Sequence, residues 1–506
     1  MTTVDNCTSQ STINIGFDAL PIGGTLSGSQ ILCGSNAPSS ITLTGNSPSV
    51  ARWESADNAA FTINVTPIAN TTNTLTAVEM GAIPTIKYFR AVSQNGVCPP
   101  AYSDVVAVEY PSTTWNGTTW SNGSPDATKK VIFAGNFPSP GDIEACSIEV
   151  QATRTVTIAS GHTLIVSNEV TVLGTPATTN LIFQNTASLI QLNNAVNSGS
   201  IRYIRNATPM VRNDYTYWSS PVAGQVLNVF SPLTNPSRYY VFDNTSYNWL
   251  SVPGASTMIP AKGYIIRAPS NYSTSATTTY VGQFVGVPNN GDYSIPIVVN
   301  TIPNPIQDRN LIGNPYPSAI DADLLLAANL TTLQGSFYFW THNTPITNNV
   351  YTANDYAVYN QSGGTATAIN SGINNNPPNQ FIAAGQGFFV QGLNSGTLTF
   401  TNAMRVAGNN ASFFRNSQQN TTVTREKHRV WLNLINTQGA FKQLLAGYIQ
   451  EATNAMDNHF DSEIAEAGNS ISFYSVLEDK KLTIQGRSLP FMETDIVPLG
   501  YRATYA

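Results

Sequence analysis

Two stretches of this chain share one pattern, and the repetition constrains its fold more than any other feature. In the second stretch, Asn310-Leu-Ile-Gly-Asn-Pro-Tyr-Pro-Ser-Ala-Ile-Asp321, an apolar strand runs into a Gly-Asn-Pro-Tyr-Pro turn and then into a short helix through Leu324-Leu325-Leu326. Ser318 is placed to cap that helix, with Asp321 three residues later as a capping box requires. The first stretch is Tyr215-Thr-Tyr-Trp-Ser-Ser-Pro-Val-Ala-Gly224. Each leads to an aromatic strand, Tyr239-Tyr240-Val241-Phe242 or Phe337-Tyr338-Phe339-Trp340, and then to a Gly-aromatic strand, Gly263-Tyr-Ile-Ile266 or Gly387-Phe-Phe-Val390. The pattern reads as one structural unit used twice, over 215–297 and 310–405. The copies differ most at 341–380, a stretch rich in Asn, Thr, Gly and Pro that includes Asn374-Asn-Asn-Pro-Pro378. Loops of that length in a compact domain carry function or mobility, so this is the first place to look for a ligand, with passive elaboration as the plainer reading.

The rest of the chain is built for β-structure. Charged residues are 10% of 506, against roughly 25% in an average soluble domain, so Thr, Asn, Ser and Gln must carry the polar surface. Thr and aromatics suit strands, and Asn and Gly suit turns. The net charge of -6 and the lack of a basic stripe argue against nucleic acid as a partner. No apolar run approaches the ~18 residues of a transmembrane segment. Met1-Thr2-Thr3 leads straight into polar sequence, and the expectation is that a leader was removed and a start Met supplied.

Five segments are expected. Residues 1–110 carry short alternating strands at the spacing of an Ig-like β-sandwich. Cys33, Trp53 and Cys98 follow the Cys…Trp…Cys order of such domains, so Cys33 and Cys98 are expected to form a disulfide with Trp53 in the core. Cys7 and Cys146 either pair or sit as small buried side chains. Residues 111–205 begin with Trp115-Asn-Gly-Thr-Thr-Trp120 and continue as apolar triplets such as Val156-Thr-Ile158 and Leu164-Ile-Val166. These recur roughly six to ten residues apart, the rhythm of a short parallel β-helix-like segment. Residues 206–305 and 306–420 hold the two copies of the β-rich unit. Charged residues become frequent after Thr424, and 425–506 opens with a hairpin, Arg429-Val-Trp-Leu-Asn-Leu-Ile435 and Gln443-Leu-Leu-Ala-Gly-Tyr-Ile449. Its few strands read as the N-terminal part of a further β-sandwich.

Chemistry is sparse. The four histidines, His162, His342, His428 and His459, lie far apart in the chain and signal no Ser-His-Asp triad. Metalloprotease, phosphate-loop and dinucleotide motifs are lacking. The carboxylates of the β-helix segment are scattered, whereas a glycosidase needs a pair. Asp457, Asp461 and Glu463 offer oxygen ligands for Ca²⁺ without the EF-hand spacing, and a solvated acidic loop is the simpler reading. Trp115, Trp120, Trp218, Trp249 and Trp340 lie in or near Gly/Asn/Ser/Thr-rich sequence, and of these Trp115, Trp120 and Trp340 are candidates for glycan contact, against the alternative of ordinary core packing.

Tyr215-Thr-Tyr-Trp-Ser-Ser-Pro221, Asn310-Leu-Ile-Gly-Asn-Pro-Tyr-Pro-Ser318 and Val430-Trp-Leu-Asn-Leu434 resemble segments of large surface proteins of Bacteroidetes-type bacteria. That resemblance implies export by the type IX secretion machinery, an extracellular or outer-surface location, and a role in adhesion or gliding. It also implies that the domain from about 425 leads on to a C-terminal sorting domain. The expectation is a mainly β, elongated multidomain chain without enzymatic activity or required cofactor, acting as an adhesin or stalk. The alternative is a carbohydrate-binding segment of a larger secreted glycan-degrading protein.

Overall fold

A computed structural model describes residues 12–13, 16–34, 37–175, 177, 180–300, 308–344, 346, 351–367, 377–411, 426–435, 441–465, 469 and 471–503. The chain divides into two compact units, Met1–Ser112 with Thr128–Lys130, and Thr113–Ala127 with Val131–Ala506. It is mainly β throughout, as the composition requires.

The first unit has two sheets. One contains Thr25–Ser27, Ile41–Thr44 and Thr74–Leu75; the other contains Gln30–Ile31, Val106–Glu109, Ile86–Ser93, Val50–Ala56 and Thr66–Ile68, with Ala101–Tyr102 at the side. The alternation of Ile41-Thr-Leu-Thr44 turns Ile41 and Leu43 inward, where they meet Trp53, Phe89 and Val108. Trp53 is fully buried, and its indole donates to the Thr72 carbonyl at 3.0 Å. The expected Cys33–Cys98 bridge does not form. Cys98 is a free thiol in the turn after Ile86–Ser93, whereas Cys33 and Cys146 are both disulfide-bonded. The Cys…Trp…Cys pattern assumes that both cysteines face inward from strands. Cys98 instead lies outside its strand, with its Sγ 3.6 Å from the Asp18 carbonyl. Cys7 is outside the described residues.

The second unit opens with the parallel β-helix. Val156 lies beside Leu181, Leu164 beside Leu189 and Ile148 beside Val170 in parallel ladders, so each coil stacks like side chains on the next. The strand Ile201–Asn206 ends the stack by pairing in parallel with Asn180–Phe183 on one edge and antiparallel with Val281–Pro288 on the other. One buried core therefore runs from Val131 in the β-helix to Met404 in the second copy.

The duplication is visible in the topology. The first copy is a sheet ordered Tyr215–Trp218, Tyr264–Arg267, Tyr239–Asp243, Asn248–Ser251. The second is ordered Arg309–Gly313, Gly387–Gly392, Leu333–Trp340, Tyr356–Asn360, with Gly363–Thr365 added at the edge. In both, the first strand pairs with the last. The copies also contact each other reciprocally. Trp218 bridges to Gln386 while Lys262 bridges to Ile312. The Ser219 amide donates to the Gly385 carbonyl, and the Gly313 amide donates to the Ala261 carbonyl, both at 2.9 Å. These relations superpose Trp218-Ser-Ser-Pro221 on Ile312-Gly-Asn-Pro315, with a pseudo-twofold axis between Ser219 and Gly313. A Cβ on Gly313 would lie 2.2 Å from the Ser219 Cβ, and one on Gly263 would lie 2.6 Å from the Leu311 Cγ. Those two glycines are what lets the copies approach.

Two local expectations change. The helix Ala322–Ala328 is capped by Asp321, whose carboxylate accepts from the Asp323 and Leu324 amides, and not by Ser318. The intervening Ala319–Asp321 is a short strand held between Phe381–Ile382 and Arg405–Val406, so the helix cannot start earlier. The stretch 341–380 is only partly loop. A turn of 3-10 helix, Ala353–Asp355, and the strands Tyr356–Asn360 and Gly363–Thr365 lie within it; residues 345, 347–350 and 368–376 lie outside the described residues. Its Tyr-Ala-Val-Tyr run was the overlooked strand signal.

The C-terminal segment forms one sheet, in which Lys427–Ile435 pairs antiparallel with Phe441–Ile449 along its whole length and Lys480–Ser488 follows in parallel. The hairpin turn at 436–440 lies outside the described residues. Leu445 and Ile484 of this sheet pack with Tyr338 and Trp340 of the second copy.

Candidate functional site

The period of two along each strand of the duplicated unit sorts its aromatics into two layers. Trp218, Tyr239, Tyr264, Ile266, Phe337, Phe339 and Phe388 face the large core shared with the β-helix. Tyr217, Tyr240, Phe242, Ile265, Tyr338, Trp340 and Phe389, the alternate positions, face a second layer between the copies. There the Phe389 ring meets Phe242 edge-on at 5.0 Å and Trp249 at 5.9 Å, while Tyr217 stacks on Trp340 at 5.9 Å with 15° between planes.

A cavity of ≈ 430 Å³ opens in this second layer. The first copy supplies Tyr215, Tyr217, Tyr240, Trp249 and Ile265; the second supplies Trp340 and, from the segment after it, Tyr351, Thr352, Ala353 and Tyr356. Size and lining fall within the range of small-ligand sites, which combine apolar and aromatic walls with a few polar groups. Tyr351 is 39% exposed. Most polar atoms of the walls are engaged by the protein, which fixes the rings. The Tyr217 and Tyr356 hydroxyls lie 2.6 Å apart. The Trp340 indole donates to the Tyr215 carbonyl at 3.0 Å, and the Tyr351 hydroxyl donates to the Asn213 carbonyl at 2.8 Å. Burial pushes the Tyr217 and Tyr356 phenols well above their ordinary value and Tyr351 up to about 12, so these hydroxyls stay protonated. None of the lining residues is an acid, a histidine or a cysteine.

Two arginines stand on the same face. Tyr215 is directly opposite Arg267 in the ladder, and the Arg267 amide bonds the Arg238 carbonyl at 3.2 Å on the next strand. Directly opposed residues point to one face of a sheet, and Arg238 shares the parity of Tyr240 and Phe242. The Arg238 Nη1 donates to the Tyr240 hydroxyl at 3.0 Å.

Of the tryptophans set in Gly/Asn/Ser/Thr-rich sequence, Trp340 and Trp249 line this cavity, and Trp218 faces the large core. Trp115 and Trp120 lie against each other, ring centroids 5.2 Å apart, and both pack on Phe137 at one end of the β-helix core. The Trp115 indole donates to the Asn136 carbonyl at 2.9 Å. Asp457, Asp461 and Glu463 do not converge. Asp461 accepts the Gly486 and Asp457 amides, Asp457 accepts the Thr453 amide, and Glu463 pairs with Lys480 at 2.6 Å. Among the described residues no group of three His, Cys, Asp or Glu is placed to hold a metal. The tyrosines of the cavity were missed by sequence reasoning. The signal was present in Tyr215-Thr-Tyr217-Trp218, where period two puts both tyrosines on the face opposite Trp218.

Two family models match the chain. Residues 22–112 match a domain of unknown function, DUF8696, and residues 109–506 match another, DUF8693. The chain belongs to the DUF8693 family. The DUF8693 match spans the β-helix, both copies of the duplicated unit and the C-terminal sheet, and so contains the whole cavity. No curated protein and no solved structure matches the chain. Among the described residues no helix is long and apolar enough to cross a membrane.

Proposed function

We propose that this chain is a non-enzymatic binding module of the extracellular surface, and that it adheres to glycans by taking a sugar ring into the aromatic cavity. The observation that carries this reading is the cavity itself: Trp249, Trp340 and five tyrosines line one open space, several of their rings fixed by hydrogen bonds within the protein. Aromatic side chains with a polar tip suit a partner that has both apolar C–H faces and hydroxyls. Among the described lining residues a bound sugar would meet no carboxylate pair of the kind that glycoside hydrolysis uses. The disulfide-bonded cysteines fit an oxidising compartment. Export by the type IX machinery and attachment at the outer surface rest on the resemblance of the turn motifs.

Screening of the full chain on a glycan array, with Trp249→Ala and Trp340→Ala alongside, tests the reading. Trp249 is only partly buried, so its truncation is expected to leave the fold intact while reducing binding at least tenfold, the effect of losing one major stacking surface. A chain that binds no glycan, or an unchanged Trp249→Ala profile, overturns it.

A further inference from the structure

The glycan reading leaves the arginine pair unexplained. Tyr215, Arg267 and Arg238 form one row across three neighbouring strands, on the face that holds the cavity. Like charges directly opposed in a sheet are destabilising. Neither guanidinium forms an ion pair among the described residues, and the Nε of each is buried without a hydrogen-bond partner. The two arginines stand behind the cavity wall, in contact with its tyrosines but not themselves among the lining residues. Arg238 bonds Tyr240, and both guanidinium groups favour the ionised form of the Tyr215 and Tyr351 phenols. Asp214, the carboxylate next to Tyr215 in the chain, does not neutralise them. It is buried, accepts the Val211 amide at 2.8 Å, and is pushed by that burial toward its neutral form.

From this juxtaposition we infer that the ligand is an acidic saccharide, its ring held by the aromatic walls and its carboxylate by Arg238 and Arg267. The inference rests on the glycan reading and adds the charge of the ligand. Guanidinium groups match a carboxylate in shape and bond it through charge-assisted hydrogen bonds. Two adjacent cations left unpaired beside an apolar cavity are complementary to a ligand that is apolar at one end and anionic at the other.

The test uses the full chain and calorimetric titration with two probes, a galacturonic acid trimer and the matching galactose trimer, in low and in high salt. The acidic trimer is expected to bind about 10- to 100-fold more tightly, the range expected when a hydrogen bond to a charged group is gained, with the advantage shrinking as salt rises. The double variant R238Q/R267Q should bind both trimers equally, and each single variant should lose part of the preference. Melting temperatures equal to or above wild type would show that the fold survives removal of the opposed charges. Equal binding of the two trimers by wild type, or an acidic preference that survives in the double variant, overturns the inference and leaves the glycan reading standing. Failure of both trimers and of every glycan on the array removes the reading itself.

Discussion

At the scale of single residues, Asp355 sets a pH dependence. It closes the 3-10 turn Ala353–Asp355 beside the cavity, and its Oδ1 accepts the Thr344 amide at 3.0 Å and the Thr344 hydroxyl at 2.7 Å. Burial pushes its carboxyl up to about 7, and the Thr344 bonds offset only part of that. In the unfolded chain the group titrates near 4. The folded state therefore holds a proton that the unfolded state has released between about pH 4 and pH 7, and stability falls as pH rises through that window. The slope reaches about 1.4 kcal/mol per pH unit for one group. Asn in this position keeps an acceptor for Thr344 and carries no charge. Asp355→Asn is expected to melt above wild type at pH 8, with the gap closing toward pH 4. A gap that stays constant with pH would show that Asp355 is not the titrating group. The same residue marks a limit of legibility. Asn354-Asp355 reads as loop in the sequence, and nothing local reveals that the tertiary fold buries that carboxylate.

At the scale of elements, the paired turns were the most legible part of the chain, because Pro, Gly and Asn are chosen there for specific backbone needs. In the second copy the Asn314 Oδ1 accepts the Tyr316 amide at 2.9 Å, and its Nδ2 donates to the carbonyls of Ser318, Ile382 and Ala383 at 2.8–3.2 Å. In the first copy Ser220, the equivalent residue, accepts the Val222 amide with its hydroxyl. The same turn is thus closed by two different side chains. Asn314→Ala leaves the Tyr316 amide and three carbonyls without their partner and is expected to cost about 2–3 kcal/mol. Asn314→Ser, which borrows the first copy's solution, should recover about 1 kcal/mol of that through the turn bond alone. Denaturant midpoints of the two variants check this, and equal losses would mean that the turn bond contributes nothing. The cavity was less legible than the turns. Its walls come from six strands and the segment before the sixth; alternation shows which face each ring occupies but not which sheet covers it. The disulfide was illegible for a similar reason: Cys98 has the right order relative to Trp53, but lies in a turn.

At the scale of the whole molecule, the sequence rhythm suggests five segments, whereas the main buried cluster of the first unit is one core and that of the second runs continuously from the β-helix through both copies, with the second aromatic layer as a separate cluster beside it. Residues that share a core unfold together, and units with separate cores unfold separately. Calorimetry of the full chain should therefore resolve two transitions, with the β-helix and the duplicated unit melting in one of them. Trp53 identifies the other. It is fully buried in the first unit, and truncation to Ala removes a large ring from a packed core, a change that costs about 3–5 kcal/mol. Trp53→Ala should lower only the first unit's transition, while Asn314→Ala lowers only the second's. The β-helix supplies the sharper arm of the test. Leu164 packs in the β-helix core, remote in sequence from Asn314 yet within the same hydrophobic cluster as Ile312 and Tyr316. Leu164→Ala is expected to lower the same transition as Asn314→Ala. If Leu164→Ala instead splits off a third transition, the β-helix is a separate cooperative unit, and the shared core between it and the duplicated unit does not couple their unfolding.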